Sequence, residues 1–285
     1  MSDAAQRTHR YLRVALVGIV IVILAGVVIE WIRSGVLPPS ISHSYYTSAR
    51  SVFVGSLVAA SLALTVLSGS DAESAFLDMA APFAPLIALI PAALDPASIK
   101  VEADGVITGV TAYLVALLLI LIAGLILWRT KQLEGNWVRV TMIVALGVFL
   151  VVLALIIPAW VNPDDPNLWI FSMHYPATIA FFIAFATVPF INFFRKTSNI
   201  EPRPWQRAIY AGVVIVLAID IPLSPILGFA LPNTHAVLIC EAVALLAFAL
   251  FWLVQTIQRW NEEPGLVKLT PRLPRATVAS DPSEA

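Results

Sequence analysis

From Gly105 to Trp128 the chain carries no charged residue, and an α-helix of that length crosses the hydrocarbon core of a bilayer. Stretches of this kind recur along the sequence. Taken in order they give eight expected spans, at residues 12–33, 51–68, 75–94, 106–128, 137–161, 168–194, 205–222 and 235–258. The expected fold is all-α: a polytopic transmembrane helix bundle over residues 12–260. A tail of residues 1–11 precedes it, and a tail of 261–285, rich in Pro, Ala, Ser and charge and expected to be disordered, follows it. A secretory signal peptide competes for the first run. That run is long for such a segment and no A-x-A-like site follows it, so residues 12–33 read as an uncleaved span.

Composition agrees with a membrane chain. Of 285 residues 59% are hydrophobic and 12% charged, and the mean hydropathy is +0.88, too apolar for a soluble domain. A net charge of −1 argues against a nucleic-acid partner, which needs a basic excess. The single cysteine, Cys240, excludes an internal disulfide and any multi-cysteine metal cluster. It lies in an apolar run and reads as an inert buried thiol. There is no Walker-type loop, no G-x-S-x-G and no dinucleotide fingerprint. Membrane lipids are the expected partners, no cofactor is expected, and the sequence names no protein partner.

Local signals refine the spans. Ser70-Asp71-Ala72-Glu73 reads as a helix start, with a cap residue and an acid in the first turn. The third span then carries Pro82, Pro85 and Pro91, so a kinked helix shielded by neighbouring helices is expected. Asp95–Asp104 reads as a polar loop. Gly18 and Gly26, with Gly55, Ser56, Ala59 and Ala60, read as close helix contacts.

Charge gives the orientation. With both termini cytoplasmic, the inner segments collect fourteen of the seventeen Lys and Arg residues, and only Arg33, Arg50 and Lys100 lie outside. Trp31, Trp128, Trp137, Trp160, Trp169, Trp205 and Trp260 fall at span ends, as interfacial belts do.

In that orientation the polar side chains gather outside. Residues 37–50 hold His43, Tyr45, Tyr46 and Arg50 between the first two spans. His174 and His235 map to the same side, as do Glu30, Asp220 and Glu241 at the outer ends of spans one, seven and eight. Both His174 and Glu241 are expected ~9 Å below the outer surface, where ionisable groups face the bundle interior and pair. Arg50, at a helix start where the dipole disfavours a cation, needs an acidic partner, with Glu30, Asp220 and Glu241 the candidates.

Three readings fit this cluster. It is polar glue between helices, or a site for a lipid headgroup or small solute walled by Arg50, Tyr45 and Tyr46. In the third it is a metal-dependent lipid hydrolase in which His43, His174 and His235 bind zinc. A small-solute transporter is a further alternative, because span three and the connection between spans seven and eight hint at broken helices. The ligand-site reading leads, with His174 expected beside Glu241 or Arg50 and the three histidines not converging.

Pro39-Ser40-Ile41-Ser42, Tyr45-Tyr46-Thr47 and Arg50-Ser51-Val52-Phe53-Val54-Gly55 resemble the first outer loop and second helix of a family of uncharacterised bacterial, mainly actinobacterial, multi-pass membrane proteins. The Pro-x-Ile-Ser and Arg-x-Val-Phe spacing is more remotely similar to DRAM/Sfk-type six-span proteins. The resemblance implies a multi-pass protein of a bacterial cell membrane, with a link to lipid and membrane homeostasis.

Overall fold

The computed structural model describes residues 3–67, 71–92, 96–131, 133, 135–163, 165, 168–194, 201–231 and 234–260. The expected disordered tail of 261–285 lies outside them. Nine α-helices are described: α1 (Asp3–Ser34), α2 (Arg50–Val66), α3 (Ala72–Ala80), α4 (Phe83–Leu89), α5 (Pro96–Arg129), α6 (Asn136–Val161), α7 (His174–Phe194), α8 (Pro204–Ala230) and α9 (Ala236–Gln258). Short 3-10 turns occupy Ser42–Tyr46 and Trp169–Ser172, and no strand occurs among the described residues. Seven segments are long and apolar enough to cross a membrane, with α3 and α4 counted together as Ala72–Leu89. The chain is an integral, multi-pass membrane protein. The remaining apolar helix, α2, has 17 residues and extends ~26 Å, slightly less than a bilayer core. It makes the eighth crossing.

The Arg10 guanidinium lies 5.0 Å above the Trp260 ring. The start of α1 and the end of α9 therefore share one end of the bundle, as an even number of crossings requires. We call this the terminal end, and the opposite one the far end.

The third crossing is broken, as its prolines predict, and it is the most enclosed of the long segments: 61% of Ala72–Leu89 is buried, against 17% of the most apolar part of α5. Pro85 has no N–H, so the Ala81 carbonyl loses its donor one turn on. The Ser61 hydroxyl supplies that hydrogen bond from α2 at 2.7 Å. The Tyr113 hydroxyl of α5 donates to the adjacent Pro82 carbonyl at 2.9 Å. Such bonds between membrane helices are worth about 0.6–2 kcal/mol each. Neighbouring helices thus replace what the prolines remove. Below the break, Asp71 caps α3 by accepting from the Ser74 N–H at 2.8 Å.

Some boundaries differ from the sequence reading. Helix α5 begins at Pro96, so residues 96–104 are helical rather than a loop; proline suits a first helical position, where its missing N–H had no partner to lose. Helix α8 runs on to Ala230 with Pro222 and Pro225 inside it, because a proline at membrane depth removes one donor without ending a packed helix. Helix α7 starts at His174 after a 3-10 turn, so His174 opens its helix instead of lying six residues into it. Of the small residues, Gly26 approaches α2 closely, a Cβ there lying 3.1 Å from Val52, and Ser56 and Ala60 are buried. Gly18 and Gly55 meet open space and Ala59 is exposed.

Candidate functional site

At the far end, residues 35–49 do not stay above the bundle. Ile41, Ser42, Ser44 and Tyr45 are all buried. The carbonyls of Pro38 and Pro39 anchor this segment to the start of α9. Pro39 O accepts from the Leu238 N–H at 3.2 Å, satisfying one of the first-turn donors that a helix leaves unpaired. Pro38 O lies 3.2 Å from His235 Nδ1.

Ser42 is thereby carried onto Glu241, two turns into α9. The Glu241 Oε2 atom accepts from the Ile41 N–H and, at 3.4 Å, from the Ser42 N–H. The Ser42 Oγ lies 2.7 Å from Glu241 Oε1. On its other side Ser42 Oγ is 3.1 Å from His174 Nε2, and His174 Nδ1 is 2.7 Å from the Ile90 carbonyl. The break in the third crossing explains the last contact. Pro91 has no N–H to give to the Ile87 carbonyl, and His174, 3% exposed, sits at this break with its Nδ1 on the Ile90 carbonyl. His174 and Glu241 thus meet through Ser42, in the hydrogen-bonded pocket anticipated for them.

Glu241 also joins two cavities. One, of about 70 Å3, lies between α1, α2, α4, α7 and α9; its walls include Ile23, Phe53, Phe181 and Leu245, and Ser42 and Glu241 are its polar atoms apart from Thr178. The other, of about 60 Å3, opens between α7, α8 and α9 and is lined by His174, Asp220, Ser224 and Glu241 among others. No Lys or Arg lines either one. Asp220 lies beside Cys240, the buried thiol.

The other anticipated residues lie apart from this centre. Arg50 pairs with Glu102 at 3.0 Å, not with Glu30, Asp220 or Glu241. Its guanidinium also stacks 3.9 Å from the Tyr45 ring centroid and donates to the Tyr45 hydroxyl at 2.5 Å. The partner differs because α5 starts early and brings Glu102 onto its second turn. Burial pushes the Tyr45 hydroxyl pKa up, although the Arg50 charge works against it. Tyr46 donates to the Ala92 carbonyl at 3.1 Å. Glu30 accepts from Ser48, which in turn accepts from Arg33 at 3.1 Å. His43 packs its ring 5.5 Å from Tyr46, and burial lowers its pKa. The three histidines have separate partners, and among the described residues no group of three His, Cys, Asp or Glu side chains is placed to hold a metal ion.

A second polar centre, at the terminal end, is absent from the sequence reading. Glu73 of α3, 2% exposed, pairs with Arg259 at 2.5 Å and accepts from Gln255. Arg259 also donates to Asn192 of α7 at 3.1 Å, and Tyr210 of α8 donates to Gln258 at 2.5 Å. The signal was present: Gln255, Gln258 and Arg259 lie three and four apart, one polar stripe on an apolar helix.

Chemically, the Ser42–His174 contact has the spacing of a nucleophile and its base. The two backbone N–H groups that would serve an oxyanion are already committed to Glu241. The arrangement holds the Glu241 carboxyl group and joins it to His174 through one hydroxyl. No family model matches the chain, and no curated protein or solved structure is found to be similar to it.

Proposed function

We propose that this is a multi-pass protein of the cell membrane that binds an amphiphile, a lipid by preference, at the far end of its bundle, without catalysis. Both termini face the cytoplasm in this reading, which the charge asymmetry supports, so the far end faces outward. The lipid chain enters the apolar cavity between α1, α2, α7 and α9, and a headgroup hydroxyl or amine meets Glu241 and Asp220. One observation carries the reading: Glu241 stands between an apolar cavity and a polar cleft, and no lysine or arginine lines either one. A carboxyl group placed so is available to donor groups that arrive from outside the protein. The early resemblance to proteins linked with lipid homeostasis points the same way.

Native mass spectrometry of protein extracted from a bacterial membrane tests it. The wild-type chain should retain bound phospholipid after the detergent shell is stripped. Ala60→Leu, which fills the apolar cavity, should lower that occupancy several-fold. Equal lipid occupancy in both, with Ala60→Leu folded, would refute the reading.

A further inference from the structure

The hydrogen atoms of the far-end chain can be counted. A carbonyl oxygen only accepts, so the 2.7 Å contact of His174 Nδ1 with Ile90 O requires a proton on Nδ1. A neutral imidazole then presents a bare lone pair at Nε2, 3.1 Å from Ser42 Oγ. On the other side Ser42 Oγ lies 2.7 Å from Glu241 Oε1. Each of these two contacts is close enough to need a proton between its atoms, since facing lone pairs repel at that distance. Ser42 has a single hydroxyl proton for both. A neutral His174 with an ionised Glu241 is therefore one proton short.

Two arrangements repair the deficit. In the first, Glu241 is the acid: Oε1–H donates to Ser42, and Ser42 donates to His174 Nε2. The Ile41 and Ser42 N–H groups, which both point at Oε2, suit this assignment because they leave Oε1 to carry the proton. In the second, His174 is the cation: Nε2–H donates to Ser42, and Ser42 donates to a Glu241 carboxylate. The two differ by a concerted shift of protons through one hydroxyl and contain the same number of them.

We propose that Glu241, Ser42 and His174 together form a binding site for one proton, held at neutral pH and shared across the Ser42 hydroxyl between α9 and α7. The ionisable groups facing it from the surrounding helices are Tyr175 on α7, Asp220 on α8 and Cys240 on α9 itself. From α1, α2 and α4 only apolar side chains reach the cavity beside it. The proton ties four elements together, because the chain runs from Ile90 at the end of α4, through α7 and the 35–49 segment, to α9. The site stands on hydrogen-bond geometry alone and does not require a lipid in the cavity.

The test is a proton count on the wild-type protein in lipid vesicles at pH 7. Infrared spectroscopy reads protonated carboxyl groups, and nitrogen-15 resonance of labelled histidine reads the state of each ring. Expected is either a carboxylic acid band that vanishes in Glu241→Gln, with His174 neutral and protonated at Nδ1, or an imidazolium signal that vanishes in His174→Asn. Glu30→Gln, at a carboxylate that is held by Ser48 outside this chain of contacts, should leave both signals unchanged. Should Glu241→Gln not fold, Glu241→Asp serves to shift the band instead. An ionised Glu241 found together with a neutral His174 overturns the proposal.

Discussion

Two glutamates, the buried Glu73 and the half-buried Glu241, stand near opposite ends of α9 and are neutralised by different means. Glu73 receives a full countercharge from Arg259, plus one hydrogen bond from Gln255, in a network that also takes in Asn192. Glu241 meets two backbone N–H groups and the Ser42 hydroxyl, and no lysine or arginine. The terminal-end cluster pairs its two charges within the protein. The far-end cluster is complete only with one added proton, and it borders two cavities. A difference of this sort separates a structural lock from a site: the lock fixes α3, α7 and α9 relative to one another, while the site retains a variable.

Mutation can break the comparison most directly at the lock. Glu73→Gln removes the charge that balances Arg259 in a place where water cannot substitute, and a lone buried charge left behind costs about 3–5 kcal/mol. The substitution should lower stability in detergent by that order, read as a large fall in the unfolding midpoint. Pairing it with Arg259→Met should restore much of the loss, because the buried charge is then gone as well. A single Glu73→Gln variant as stable as wild type would mean that the pair is not a lock.

A smaller effect is expected at Arg50, which lies at the far end but outside the proton chain. Its side chain is 42% exposed and that of Glu102 17% exposed, so the ion pair is screened and worth roughly 0.2–1 kcal/mol. Stacking on Tyr45 adds about 0.5–1 kcal/mol. Arg50→Ala should therefore cost about 1 kcal/mol, and high salt should diminish the difference from wild type. It should leave lipid occupancy unchanged. A loss of bound lipid with stability intact would move the site from Glu241 toward Arg50.

The two clusters were unequally legible in the sequence. The crossings themselves were plain, because each is an apolar run of bilayer length, and Pro82, Pro85 and Pro91 announced the broken one. His174 and Glu241 could be placed at one end from the charge asymmetry, but the residue that joins them, Ser42, has no charge and only a fold can bring it inward. The start of α5 at Pro96 hid the partner of Arg50, since residues 95–104 carry enough polar side chains to resemble a loop. Glu73 and Arg259 each had a sufficient local explanation, as a first-turn acid and as one of many inner cations. Their pairing across 186 residues is tertiary information that neither explanation suggests.

The same substitution made at the far end sharpens the contrast most. Glu241→Gln replaces an acid by an amide of nearly equal shape. If Glu241 is the group that holds the proton, the amide reproduces each of its bonds: the oxygen accepts from Ile41 and Ser42, and the NH2 group donates to the Ser42 hydroxyl, which still donates to His174. No buried group is left without a partner, so the penalty for an unmade hydrogen bond, about 1–3 kcal/mol, is avoided. Glu241→Gln should cost less than about 0.5 kcal/mol, several kcal/mol below Glu73→Gln, and its stability should no longer respond to the far-end proton as pH is raised. Unfolding midpoints of the two variants, measured side by side in one detergent from pH 6 to pH 9, decide the matter. A Glu241→Gln protein as badly destabilised as Glu73→Gln would mean that Glu241 functions as a charge, which leaves only the arrangement in which His174 is the cation.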